Sequence, residues 1–588
     1  MQNVLPGCIR LGRPTKLSLG IPRFRNTPFA HQPVPHPHPK PQPSNTAANR
    51  SQWSSVYQTI FQIGWLLKRG KTEEAKENFQ RCLSRIPEYS TPRLVLYERG
   101  IAKFLYYERF KGALELHRQM NADDMLASTE LRAKLLVCSS IVETPPEQQQ
   151  NLESLFDELS YLLSRRSYSQ RSLPQLLDVL KRHPLVDSQF VGRLVDRHLN
   201  SRGSREKLKL NTINKLILFY AHVGDIDAAE TLVVSHQDSS PVRRRPTDPA
   251  PYTTLISSLA KRGALTTRRL DSLLGKVEQS QIRVDLPFFN VLIQWAMRTE
   301  NYHQAFILYD TILRQEGAHM IPDSFVFGSL FNALQRTWAL RNPNLRRSCY
   351  PPNAPTPRRF FRQMLECHLL AVKAAHPGAP ARPIIRLSTL NIALRLFMLC
   401  MDYPSVFVTL RTFDLLGLKP DLRTYRFVLT ILARRIQRTV LDADKLHWSH
   451  ASWVANFLGG DGHSAAKALS SMGETTGDDT VTEPGVEDRS IHAEIIRALL
   501  EFSTRDSEYR TPTMAMIMGA EEEAPKKDVW DIEPLERLVV KATLASLVPK
   551  NASSEQVERA LWKKMAAHFH EMVPEKLLIG RRLREPRF

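Results

Sequence analysis

The residues that most often carry chemistry are scattered in this chain. Cys8, Cys82, Cys138, Cys349, Cys367 and Cys400 never form a C-x-x-C pair, the spacing that a thiolate metal site or a redox couple needs. Cys367-His368 and His568-Phe569-His570 are isolated and read as core or surface residues. His36 and His38 sit in a Pro/His run, HQPVPHPHPKPQP over 31–43, which is extended and brings no second pair of ligands. There is no P-loop, no G-x-G-x-x-G and no G-x-S-x-G. Neither a metal nor a cofactor is expected, and the chain does not read as an enzyme. What recurs instead is a row of small polar and acidic residues, so the elements that position them come next.

Those elements are helices. The chain has 588 residues and a formal net charge of +21, with 42% apolar and 24% charged residues. Glycine is scarce at 24 residues, which disfavours a β-rich fold with many tight loops. A mean hydropathy of −0.32 and the lack of a long apolar run argue against a membrane span. Six cysteines cannot be a disulfide framework. From Trp53 the apolar spacing is helical: Val56, Ile60, Ile63 and Leu67 in 53–69, then Ala75, Phe79 and Leu83 in 72–86. Residues 93–107 and 109–120 form another pair, and 128–142, 150–165, 174–183 and 187–199 continue the pattern. Helix–turn–helix units on short loops predict a repeat array.

The repeats are visible. Five segments share an opening of one large apolar residue, a small or polar one, a spacer and two apolar ones. They begin at Ile213, Tyr252, Phe289, Leu390 and Tyr425, with a weaker sixth at Phe327. Successive openings lie 35–39 residues apart, except for a gap of 63 between Gly328 and Asn391 that is one repeat plus a long insertion. Gly224-Asp225-Ile226-Asp227-Ala228-Ala229 and Asn301-Tyr302-His303-Gln304-Ala305 mark turns into second helices. Units close on Asp248, Asp285, Asp323 and Asp421.

Opening, turn and closing Asp together resemble the pentatricopeptide repeat family, most clearly over Leu387–Asp421 and Phe288–Asp323. Confident resemblance covers about 210–330 and 387–435. The resemblance implies an all-α solenoid of helix-turn-helix repeats that binds single-stranded RNA in organelles, one base per repeat. It also implies that base edges meet Asn214 with Asp248, Thr253 with Asp285, Asn290 with Asp323 and Asn391 with Asp421. An Asn amide donates and accepts while Asp only accepts, so such pairs can tell base edges apart. By the family's correspondence Asn/Asp favours U and Thr/Asp favours G, which gives a U-G-U-like core and a further U beyond the insertion. Gly328 and Arg426 are not base-reading types; Arg426 is read as a phosphate contact. Where the family places an aliphatic residue near each repeat start, this chain has Asn211, Ala250, Pro287 and Ser388. Simple helix capping by the same Asn and Asp residues is the alternative reading. Basic residues that could follow phosphates include Lys215, Lys261, Arg262, Arg298, Arg434 and Arg435. The metal-nuclease and deaminase signatures that some relatives carry are missing.

The remaining segments divide the chain. Residues 1–50 hold no acid and seven basic residues (Arg10, Arg13, Lys16, Arg23, Arg25, Lys40 and Arg50). That composition reads as a mitochondrial transit peptide with a disordered Pro-rich segment, placing the mature protein in the matrix. Residues 51–206 read as degenerate helical repeats and 207–440 as the array. A basic, Pro-rich insertion spans 341–359, with helix 358–376 completing the interrupted hairpin. Residues 459–488 read as an acidic disordered linker, and 489–588 as a helical region with a basic tail. The expected partner is single-stranded mitochondrial RNA, with a role in transcript stability, processing or translation. The alternative is a protein scaffold on the mitochondrial ribosome or in respiratory complex assembly.

Overall fold

The computed structural model describes residues 46–143, 150–203, 208–238, 248–340 (save 316, 318 and 319), 350–374 (save 353), 384–441, 453–457 (save 455), 486–504, 509–518, 530–547 and 553–577. Residues 1–45 of the segment expected as a transit peptide, with its Pro/His run, the Arg243-Arg244-Arg245 stretch, the basic tail and most of the acidic linker lie outside them, while 46–50 open a helix. Among the described residues every regular element is a helix. The contacts divide the chain into two compact units, one ending at Arg283 and the other beginning at Val284. That division falls inside 207–440.

The first unit holds α1 (Thr46–Lys68), α2 (Thr72–Leu83), α3 (Thr91–Tyr106), α4 (Phe110–Ala122), α5 (Thr129–Glu143), α6 (Gln150–Ser164), α7 (Leu173–Leu180), α8 (Ser188–Asn200), α9 (Leu210–Val223), α10 (Ile226–Asp238), α11 (Ala250–Lys261) and α12 (Thr267–Gln279). The odd-numbered helices pack one on the next from α1 to α11. Each even-numbered helix folds back on the helix before it, except α8, which rests on α6 and α9. This is the construction of an α-solenoid: a first layer of odd helices, a second layer of even ones and a core between them. The core follows the apolar stripes, with Val56, Ile63, Phe79, Tyr97, Ile101 and Phe104 all fully buried.

Close approach of the hairpins depends on small residues. A Cβ on Gly100 of α3 would lie 2.6 Å from the Phe79 ring, and one on Gly112 of α4 would lie 2.7 Å from the Phe104 ring. The turns between the two helices of a hairpin use a left-handed residue: Gly224 at φ 100 and Gly263 at φ 70, but Glu300 at φ 56 and Met401 at φ 55. Glycine adopts that conformation without strain, and the other two do not.

The second unit holds α13 (Leu286–Arg298), α14 (Tyr302–Arg314), α15 (Ser324–Ala339), α16 (Pro357–Ala374), α17 (Leu387–Leu399), α18 (Tyr403–Leu415), α19 (Leu422–Leu441), α20 (Val486–Thr504), α21 (Met514–Met518), α22 (Glu533–Ala545) and α23 (Ser554–Met572). Again the odd helices α13, α15, α17 and α19 stack consecutively, with α14, α16 and α18 as the second layer. The predicted helix 358–376 is α16, and it contacts both α15 and α17. One hairpin therefore fills the 63-residue gap, and its extra length lies in two connections, 340–356 and 375–386.

Two of the C-terminal helices, α22 and α23, close over the second layer, while α20 and α21 pack on the first-layer helix α19. α22 packs on α18, and α23 packs on α16, α18 and α22, while α20 packs on α19. Arg358 of α16 joins Asp402 at 2.7 Å and Glu571 at 3.2 Å. Arg411 of α18 meets the buried Glu536 carboxylate at 2.9 Å. Burial outweighs Arg411 and pushes that carboxyl up to about 8. Apolar spacing alone could not say that 533–572 covers the array, because an amphipathic helix looks the same whichever surface it meets.

Candidate nucleic-acid interface

Three of the four closing Asp residues are first of all helix caps. Asp285 accepts the Phe288 N–H at 3.0 Å. Asp323 accepts those of Phe325 at 3.0 Å and Val326 at 3.1 Å. Asp421 accepts that of Thr424 at 2.9 Å, and Asp248 that of Ala250 at 2.9 Å. Asp285, Asp323 and Asp421 fix where first-layer helices begin, because the first N–H groups of a helix have no partner within it, whereas Asp248 stands one residue ahead of the N-cap Pro249.

Two of these caps also tie one hairpin to the next. Asn290, in the second turn of α13, donates from Nδ2 to Asp323 Oδ2 at 3.1 Å. Asn391, at the same place in α17, donates from Nδ2 to Asp421 Oδ1 at 3.0 Å. The partners share neither helix nor loop; they meet because successive first-layer helices stack in register. The two pairs differ in completeness. Asn391 is 3% exposed, and its Oδ1 accepts the Thr424 hydroxyl at 2.7 Å. Asn290 is half-buried, and its Oδ1 is buried with no donor among the described residues. Thr424 is a residue that the repeat pattern did not single out.

The other two pairs are not joined this way. Asn214 of α9 also keeps a buried Oδ1 without a donor, whereas Asp248 is exposed; among the described residues the two are not bonded. Thr253 donates its hydroxyl to the Pro249 carbonyl at 3.0 Å. Thr253 lies in the first unit and Asp285 in the second, so each is described within its own.

Charge is sorted between the layers. The first-layer helices α9, α11, α13, α15, α17 and α19 contain no Asp or Glu. Every second-layer helix from α10 to α18 contains at least one. The first-layer helices carry Lys215, Lys261, Arg298, Arg336, Arg395, Arg423, Arg426, Arg434, Arg435 and Arg438. Among the described residues Arg298, Arg336, Arg423, Arg434 and Arg438 are exposed and make no ion pair. Arg298, Arg336 and Arg434 each lie twelve residues after the first residue of their helix. They also lie eight residues beyond the polar or small position of the repeat opening (Asn290, Gly328, Arg426), or about 12 Å along the axis. This register becomes visible only once the helix starts are fixed, so sequence reasoning missed Arg336 altogether.

Several basic residues predicted to face phosphates are already engaged. Lys215 is bound by Asp178 at 2.7 Å, and Arg262 donates to the carbonyls of Ala221 and His222 at the end of α9. Arg435 lies 3.6 Å over the Trp453 ring and donates to the Tyr403 hydroxyl. Arg426 is a correction to the phosphate reading: it donates to the Met516 carbonyl, because the C-terminal segment closes over that side of α19. Lys261, Arg298 and Arg434 are exposed.

Among the described residues no cluster of His, Cys, Asp or Glu could hold a metal ion, and no helix is long and apolar enough to cross a membrane. No family model and no curated protein matches the chain. Solved structures do resemble it. One is the pentatricopeptide repeat protein PPR10 in complex with an 18-nt psaJ RNA element, at 13% identity and a TM-score of 0.31, over 87% of this chain and 66% of that one. The pentatricopeptide repeat protein PPR10 from maize aligns at 13% identity and a TM-score of 0.26, over 87% of this chain and 78% of that one. This chain thus spans just under two thirds of the RNA-bound neighbour. The hairpin stacking described above, not these superpositions, defines the fold.

Proposed function

We propose that the chain is a mitochondrial helical-repeat protein of the pentatricopeptide type that binds single-stranded RNA. The observation that carries this is the charge sorting of the layers. An acid-free first layer with arginines in register presents a regular row of cations to a polyanion, while the acids are kept to the second layer. A merely solvated surface has no reason to separate charge by layer.

Base selection belongs to the pairs Asn290–Asp323 and Asn391–Asp421, with Asn214, Asp248, Thr253 and Asp285 as the remaining members. An N–H on a base edge reaching the Asn290 amide relieves an acceptor that is otherwise buried without a donor. Asn391, satisfied on both sides, discriminates less. Arg298, Arg336 and Arg434 take phosphates. No covalent step is needed: covering a stretch of transcript blocks nucleases or keeps a ribosome entry site open. The acid-free, basic composition of residues 1–50 supports import into the matrix.

The test is selection from randomised single-stranded RNA by the mature chain. Enrichment of a U-G-U-like core is the expected result. A selected pool no richer in that core than the starting pool would sink the base assignment. Crosslinking in isolated mitochondria then identifies the transcripts; recovery of none would remove the RNA reading.

A further inference from the structure

The opening helix carries a feature that the array does not use. Trp53, Tyr57, Phe61 and Trp65 are spaced four apart along α1. They lie beside the stripe Val56, Ile60, Ile63 and Leu67, which is buried in the core. Tyr57 is 46% exposed, Phe61 75% and Trp65 47%. Core packing therefore does not explain three large aromatic side chains in one column. Four residues advance a helix by about 6 Å, and the Trp53 and Tyr57 rings stack with centroids 6.0 Å apart at 27°.

Cations accompany the column. The Arg69 guanidinium lies 3.7 Å over Trp65, and Arg99 of α3 lies 5.1 Å from the centre of Tyr57. The aliphatic stem of Lys103 packs on Gly64. α1 contains no acid, and the single acid of α3, Glu98, accepts the Ser128 N–H. α1 also belongs to the same first layer as α9 and α11, whose helices are likewise free of acid.

We propose that this column is a stacking platform for the bases of single-stranded RNA, extending the contact beyond the base-reading pairs; it rests on the RNA reading of the array. The chemistry selects the occupant. Flat aromatic faces flanked by guanidinium groups suit a strand whose bases present flat faces and whose backbone is anionic. A second copy would bring one cationic face against another and is disfavoured. A peptide held by apolar contact alone needs a groove, and the column is the outward side of a single helix.

The experiment uses the full chain and a fluorescent uridine-rich 30-mer. Phe61→Leu with Trp65→Leu keeps apolar bulk but removes the π faces; Arg69→Gln with Arg99→Gln removes the flanking charge. Both pairs are exposed, so circular dichroism should report unchanged melting. Each double variant is expected to weaken binding about tenfold, the scale of losing one or two stacked bases. Ultraviolet crosslinking should place uridine on the tryptic peptide 51–68, which holds all four rings. Unchanged affinity of the Leu variant, or no adduct on 51–68, overturns the platform. Arg298→Gln with Arg336→Gln separates the two ideas: if that change weakens binding while the α1 variants do not, the array reading stands and the platform falls. If the α1 variants instead release a co-purified acidic protein without affecting RNA, the platform is overturned in favour of a protein site.

Discussion

The hairpins of 46–200 and those of 286–441 share one scaffold but treat their polar residues differently. In the first region the polar groups bind the scaffold together. Arg93 donates to Asp123 and to the carbonyls of Leu83 and Ile86, and the Tyr97 hydroxyl donates to the same carboxylate at 2.6 Å. Lys134 donates to Gln175, and Arg193 pairs with Glu153. First-layer helices there contain Glu98, Glu130 and Asp178. In the second region the first layer has no acid, and five of its arginines stand without an ion pair among the described residues. The hairpin is therefore the constant element, and function is decided by which residues are left over after the hairpin has been satisfied.

The comparison can be broken at Asp123. Its carboxylate is held below the ordinary Asp range by the Tyr97 hydroxyl and Arg93, against the opposing effect of burial. Asp123→Ala strands the buried Arg93 and should lower stability by about 3 kcal/mol, measured by urea unfolding, with RNA affinity of the folded fraction unchanged. Because the folded pKa is depressed, the stabilisation is present at neutral pH and is lost as pH falls through the Asp range. A loss below about 0.5 kcal/mol would mean the network is ornamental.

A smaller effect is expected at Asn290. Asn290→Thr keeps the Asp323 cap and should shift the preferred base at that register from U toward G by about tenfold, roughly 1.4 kcal/mol. Binding to oligonucleotides differing at one position measures it. Equal loss for every base would mean that Asn290 acts through the hairpin and not through a base.

A further contrast concerns the C-terminal cover. The Glu536 carboxyl is raised to about 8 by burial. A raised acid contributes most below its unfolded pKa and loses that contribution as pH rises through the folded value. Melting temperature should therefore fall from about pH 5 to about pH 8 and level off above it, and Glu536→Gln should flatten that slope. A slope identical in the variant would place the sensitivity elsewhere.

Much of the fold was legible because helices follow apolar period: 72–86 and 150–165 are α2 and α6 to within a few residues. Capping by Asp285, Asp323 and Asp421 was equally legible, since an acid before an apolar run needs only local geometry. The joining of Asn290 to Asp323 depends on how two helices stack, which the spacing suggested through family resemblance and not by itself. The engagement of Arg426 by the Met516 carbonyl was hidden, because it joins residues 90 positions apart. The layer-wise separation of charge was present in every letter of the sequence, yet it had no meaning until the layers were assigned.

The central claim, that the first layer of the array is the RNA surface, is tested most directly by two sets of arginine variants at several salt concentrations. The triple Arg298→Gln, Arg336→Gln, Arg434→Gln removes three first-layer cations; the control Arg268→Gln, Arg314→Gln changes the second layer. The first-layer variant should lose affinity for single-stranded RNA and reduce the slope of log K against log salt by about 2, while the control stays near wild type. Equal behaviour of the two sets, or a wild-type chain that binds no RNA, would contradict the account.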